Sequence, residues 1–131
     1  MRYANWTKLL SETICKYSNA KFEYGKLDCC LFVCDCCVSI CGVDPAINHR
    51  GRYTTELGAK KALIKYGGIE ESFDKCFNSV PVNFAQRGDV CLYENNGGLT
   101  VAVMYNGWMG MAENGCVKVK PDSILKVWRV E

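Results

Sequence analysis

The chain has 131 residues, enough for one hydrophobic core, and 49% of them are hydrophobic. Sixteen basic against fourteen acidic residues leave a formal charge of +2, with no basic block longer than Lys60-Lys61, which argues against nucleic-acid or membrane-surface binding. No apolar run of roughly 18 residues occurs, and the opening MRYANWTKLLSET is too interrupted by polar residues for a signal peptide, so a single soluble domain over 1–131 made in a cytoplasm is expected.

In chain order, Trp6, Leu9, Leu10, Ile14 and Tyr17 recur at helical spacing, which predicts an amphipathic helix over 5–18. A turn follows around Tyr24-Gly25. Asp28 is a good N-cap, and CCLFVCDCCVSIC after it is apolar nearly all round until Gly42 stops it, which predicts a buried central helix. Six of the ten cysteines fall in that helix, too close together to pair with one another in good disulfide geometry, so free thiols in a reducing compartment are expected.

Cys30, Cys34, Cys37 and Cys41 share one stripe of this helix and Cys29 and Cys36 another. Cys30 and Cys41 lie about 16 Å apart along the axis, too far to close one zinc tetrahedron. A two-thiol site completed by Cys76, Cys91, Cys116 or His49 stays open, but core packing is the first expectation for these thiols.

Asp44-Pro45 opens a loop carrying His49, Arg50, Gly51, Arg52 and Tyr53. Thr54 or Thr55 then caps a third helix, with Leu57, Ala62, Leu63, Ile64 and Tyr66 as apolar positions up to Gly67-Gly68, and a short helical turn is expected near 70–77. From Gly88 onward DVCLYE, LTVAVMY, WMGMAE and GCVKV read as short strands separated by Asn-Asn-Gly-Gly, Asn-Gly and Asn-Gly turns, with KVWRV as a last strand. A helical half over about 1–78 and a sheet half over about 86–131 make an α+β domain, its antiparallel sheet packed on the central helix.

Cys29 stands directly after the cap position, where backbone N–H groups and the positive helix end favour thiolate and lower a thiol pKa. Cys30 points about 100° away, so one of the pair at most faces an open groove. The competing reading makes both of them packing residues.

Arg50, Arg52 and Tyr53 suit bidentate recognition of an acidic ligand, or equally a tie of the loop to Asp28, Asp89 or Glu56. Arg87-Gly88-Asp89 shapes the start of the first strand. The tryptophans and the GGLT and YGGI stretches define no sugar platform and no phosphate loop.

The Tyr-Gly turn leading to Asp-Cys at a central helix, with a later Gly-Asp before a sheet, resembles the NlpC-type cell-wall peptidases, small papain-like cysteine hydrolases. Tyr24, Gly25, Asp28, Cys29, Gly88 and Asp89 carry the match. With HRGRYTT and VWRV added, the chain looks like a branch of that superfamily found in bacteriophage genomes, often beside tail genes, over about 22–129.

The resemblance implies a papain-like fold with Cys29 as nucleophile; Asp28 is read as cap or orienting group, and Tyr24, Arg50, Arg52, Tyr53 and Asp89 as candidate binding residues. It implies a histidine base at the start of the strand after Gly-Asp, but Leu99 or Thr100 stands there. His49 is the only histidine, in a loop that would have to run back along the central helix to act as base.

Three readings follow. The first is a catalytically incomplete tail-associated binding or assembly module. The second is an active thiol hydrolase or acyltransferase with a changed base. The third is a small zinc-binding structural protein. No cofactor is implied, and the partners expected are phage tail proteins or a peptidoglycan stem peptide, in the bacterial host cytoplasm or the virion.

Overall fold

The structure, a computed structural model, describes residues 1–18, 23–24, 28–65, 68–95, 98–112 and 115–131. Four helices, α1 (Trp6–Ser18), α2 (Cys29–Cys41), α3 (Glu56–Lys65) and α4 (Ile69–Asp74), precede a six-stranded antiparallel sheet. Its strands are β1 (Asn78–Val80), β2 (Val90–Asn95), β3 (Gly98–Tyr105), β4 (Gly107–Ala112), β5 (Gly115–Val119) and β6 (Ile124–Arg129). The α+β expectation holds. No helix among the described residues is long and apolar enough to cross a membrane.

α1 buries Leu10, Ile14 and Tyr17, the inner stripe of the expected amphipathic helix. α2 starts behind its Asp28 cap and ends on Gly42, whose φ of 78° lets its N–H reach the Val38 carbonyl at 2.9 Å, as a left-handed C-terminal residue does. Leu31, Phe32, Val33, Cys34, Cys36, Cys37 and Ile40 are fully buried, because α1 packs along one side of α2 and β3 and β4 along another. Cysteine serves here as a small apolar residue, and all ten cysteines are free thiols.

Thr55 accepts from the Gly58 N–H at 3.0 Å and so caps α3. Leu57, expected in the core, is 63% exposed, because the first turn of α3 faces solvent. The side chains of Ala62, Leu63 and Ile64, together with Tyr66 and Gly67, lie outside the described residues, as do Phe22, Gly25, Asn96, Gly97 and Asn114 from the expected turns. α4 realises the helical turn expected near 70–77 and docks on the sheet through Trp128, whose indole N–H donates to Asp74 at 2.8 Å while its ring stacks on Phe73.

The strand order is β1-β6-β2-β3-β4-β5: β2 to β5 form a meander, and β6 returns to insert between β2 and β1. β1 is absent from the sequence expectation. It has three residues, no apolar alternation and Pro81 immediately after it, and only pairing with β6 makes it a strand. The register of β2 on β6 shifts between Leu92 and Tyr93, which leaves Leu125 unpaired and 57% exposed. One face of the sheet, with Val90, Leu92, Val101, Val103 and Trp128, joins the helices in the main core, and the alternate residues Cys91, Tyr93, Ala102, Trp108 and Val127 form a second apolar layer.

Asp89 closes the domain. It is fully buried, accepts from Arg2 at 3.0 Å, from Arg129 at 2.9 Å and from the Gln86 N–H at 2.8 Å, and so joins the N-terminus, the start of β2 and the last strand. Gly88 beside it has φ of 91°, and a Cβ there would stand 2.9 Å from the Trp6 ring, over which Arg2 stacks. Replacing Asp89 by Ala strips both arginines of their shared carboxylate. Because the arginines keep some solvent contact, the expected loss is about 3 kcal/mol, at the low end for a broken buried pair. Urea unfolding of Asp89→Ala checks this, and a midpoint equal to wild type would show that the cluster contributes nothing to stability.

Candidate functional site

The site is organised by Asp28. Its backbone is extended (φ −121°, ψ −179°), so one carboxylate oxygen turns back to accept from the Leu31 N–H at 2.9 Å and caps α2. The other oxygen accepts from the Tyr53 hydroxyl at 2.6 Å. Asp28 and Tyr53 are both buried, and the Tyr53 phenol is held neutral, its pKa raised by burial and by the neighbouring carboxylate.

Tyr53 reaches Asp28 because the segment after α2 runs back along the helix. Asp44 turns the chain by accepting from the Ala46 N–H at 3.0 Å. Arg50 then grips Asp35, in the middle of α2, at 2.6 Å and Asp44 at 2.7 Å, and Asp35 also accepts from Tyr17 of α1. Residues 43–55 therefore form a strap antiparallel to α2.

Of the acidic partners expected for this loop, Asp28 is used, by Tyr53. The Arg50 fork is filled instead by Asp35 and Asp44, and Asp89 is held by Arg2 and Arg129. Arg52 is exposed and Tyr24 is half-buried.

Cys29 is the first residue of α2 and is partly exposed, whereas Cys30 is buried. The Cys29 sulfur lies against the backbone N–H of Cys30 and the hydroxyl of Thr100 on β3, both of which favour the anion. Of the two residues at the place where a base is expected, Thr100 faces the thiol and Leu99 is 48% exposed. Thr100 pairs directly with Tyr93 of β2, so the two side chains stand together on one sheet face, and burial, with the nearness of Cys29, raises the Tyr93 pKa. The Thr100 hydroxyl oxygen is buried and makes no hydrogen bond of standard geometry.

The direction of the thiol's pKa reverses the expectation from its helix position. Burial, the largest influence, pushes it up to about 11, and the nearby Cys30 and Asp28 push the same way. The Thr100 hydroxyl and one helix N–H pull it down without restoring it. At neutral pH the group is a thiol, beside a hydroxyl that has no capacity to take its proton.

His49 is buried on the strap, its Nε2 3.4 Å from the Ser72 hydroxyl of α4, and burial lowers its pKa against the opposing pull of Asp44. Ser72 and Asp44 belong to the region around the C-terminal end of α2, the end away from Cys29. Among the described residues no group of three or more His, Cys, Asp or Glu is placed to hold a metal ion, although the Cys30 and Cys34 sulfurs approach to 4.0 Å. The structure thus gathers Asp28, Cys29 and Tyr53 in one cluster and places Arg50, His49 and Asp89 in others.

Sequence reading missed Tyr93 and Asp35. The signal for Tyr93 was present: DVCLYE and LTVAVMY on either side of the Asn-Asn-Gly-Gly turn signal read as neighbouring antiparallel strands, and their pairing sets Tyr93 opposite Thr100.

Two measurements follow from these environments. Iodoacetamide should label Cys29 more slowly near neutral pH than exposed Cys15, accelerate as pH rises toward about 11, and slow further in Thr100→Val, which removes a nearby hydroxyl that favours the anion. Peptide mass spectrometry reads the rates, and fast labelling of Cys29 at pH 7 would contradict the buried-thiol description. His49 has a folded pKa below its unfolded value of about 6.5, so its contribution to stability is present above that pH and is lost as pH falls toward the folded pKa. The urea midpoint of wild type should drop from pH 7 to pH 5 more steeply than that of His49→Gln, and parallel profiles would remove His49 as the cause.

No curated protein matches the chain. A family model described as a domain of unknown function, DUF6950, matches residues 1–130. With that match spanning almost its whole length, the chain belongs to the DUF6950 family.

Proposed function

We propose that this is an NlpC-type papain-like domain that keeps the placement of the nucleophile but not the proton relay, and that works as a binding or assembly module of a bacteriophage tail. One observation carries the reading: Cys29, at the start of the central helix, meets Thr100 on the strand where the resemblance expects a histidine. A hydroxyl beside the sulfur does not abstract its proton, and it has no acidic proton to give to a leaving amine. The tail context and the peptidoglycan or tail-protein partner rest on the sequence resemblance.

A second reading, an active thiol hydrolase or acyltransferase, draws on the same contacts, since the Cys30 amide and the Thr100 hydroxyl both stabilise a sulfur anion. Purified peptidoglycan separates the two. Wild type and Cys29→Ser are expected to release no stem-peptide products while wild-type protein is recovered with purified phage particles. Turnover that disappears in Cys29→Ser would instead establish the hydrolase.

A further inference from the structure

Cys30 and Cys34 stand one turn apart on α2 with their sulfurs 4.0 Å from each other. Cys34 is fully buried, and Cys30, 9% exposed, is the one of the two that reaches the surface. The Cys29 thiol turns instead to Thr100 on β3, so this pair is a separate grouping.

Two sulfurs at this separation can be joined directly or through a shared atom, and the helix favours the second. Residues four apart on a helix hold their Cβ atoms about 5–6 Å apart, whereas a disulfide wants about 3.5–4.5 Å, so direct bonding would distort the first turns of α2. An ion about 2.3 Å from each sulfur subtends about 120° across the 4.0 Å gap and asks for no movement of the backbone. The number and kind of donors then select the ion. Zinc takes four ligands in a tetrahedron, and among the described residues no group of three or more His, Cys, Asp or Glu is placed to hold a metal. Calcium and magnesium take oxygen donors. A pair of thiolates suits a soft cation that accepts two ligands, copper(I) above all.

Two thiolates around a monovalent cation leave one negative charge in the core. Cys30 lies in the first turn of α2, where the positive helix end favours an anion, and Arg50, held on α2 by Asp35 at 2.6 Å, is near enough for its charge to act on Cys34. Asp44 acts on Cys34 in the opposite sense and is itself paired with Arg50 at 2.7 Å.

We propose that Cys30 and Cys34 bind one soft monovalent cation of the copper(I) class as a bis-thiolate, Cys30 meeting the ion at the surface and Cys34 completing its coordination. Two S–H bonds break and two metal–sulfur bonds form, both protons pass to solvent, and no oxidation state changes. The site is independent of the chemistry of Cys29.

Anaerobic titration of the reduced full chain with copper(I) held by the coloured chelator bicinchoninate tests this, since loss of colour counts the ion taken up. The first equivalent is expected to pass to wild type, Cys15→Ser and Cys29→Ser alike, and to stay with the chelator in Cys30→Ala and Cys34→Ala. Alanine keeps a small apolar side chain at each position, and far-ultraviolet circular dichroism checks that the variants fold. X-ray absorption at the copper edge needs no variant: wild type should show two sulfur neighbours and no nitrogen or oxygen. Uptake that survives in either alanine variant, loss of uptake in Cys29→Ser, three or more ligands at the copper, or stoichiometric zinc binding by the same thiols would overturn the proposal.

Discussion

The Asp28 carboxylate is the point on which the helical half depends. Its two oxygens do different work: one supplies the acceptor that the first turn of α2 lacks, and the other fastens the end of the strap through Tyr53. Without the first, α2 would start with an unsatisfied N–H inside a closed site; without the second, Tyr53 would carry a buried hydroxyl with its acceptor removed. Because Cys29 is the next residue, the same carboxylate that fixes the position of the thiol also opposes its ionisation. Position and reactivity of the sulfur are set against each other by one neighbour.

The reversal of the thiol's pKa follows from magnitudes. A helix start favours a nearby anion by about 0.3–1 kcal/mol when exposed and up to about 2 kcal/mol in partly buried geometries. Displacement of the thiol from its ordinary 9.0 to about 11 corresponds to about 3 kcal/mol against the thiolate, after the helix N–H and Thr100 have acted. Desolvation is therefore larger than everything that favours the anion. The cause is the wrapping of α2: α1, the sheet and the strap leave little water at its N-terminus, and the same wrapping places the other α2 thiols in the core.

What the sequence made legible divides along the line between local and tertiary causes. The N-cap at Asp28, the stop at Gly42, the inner stripe of α1 and the β2 to β5 meander are written in spacing, capping chemistry and turn residues, and they appear as expected. β1 was illegible because three residues without alternation become a strand only beside β6. The partners of Arg50 were illegible because Asp35 comes within its reach only when the strap lies against α2, and Leu57 was misplaced because an apolar residue in the first turn of a helix does not reveal which way that turn faces. At the site, Asp28 and Cys29 were visible from sequence, whereas the choice between Leu99 and Thr100 was decided by the alternation of β3 and the sign of the pKa shift by burial. Neither is a property of one segment.

The surroundings of Cys29 suit a threonine at position 100 better than a titratable side chain. A histidine facing the thiol would need room, a hydrogen-bond partner for its second nitrogen and solvation for a charged state, all at a position flanked by Tyr93 and closed over by packing. Threonine asks for less: its β-branched side chain suits a strand, and it carries no charge to desolvate. A threonine at this position supplies no base, and the helix start, its cap and the neighbouring strand keep their register around it. A thiol kept neutral by its surroundings contributes shape and weak hydrogen bonding, and the polar groups beside it, Asp28 and Tyr53, already satisfy one another.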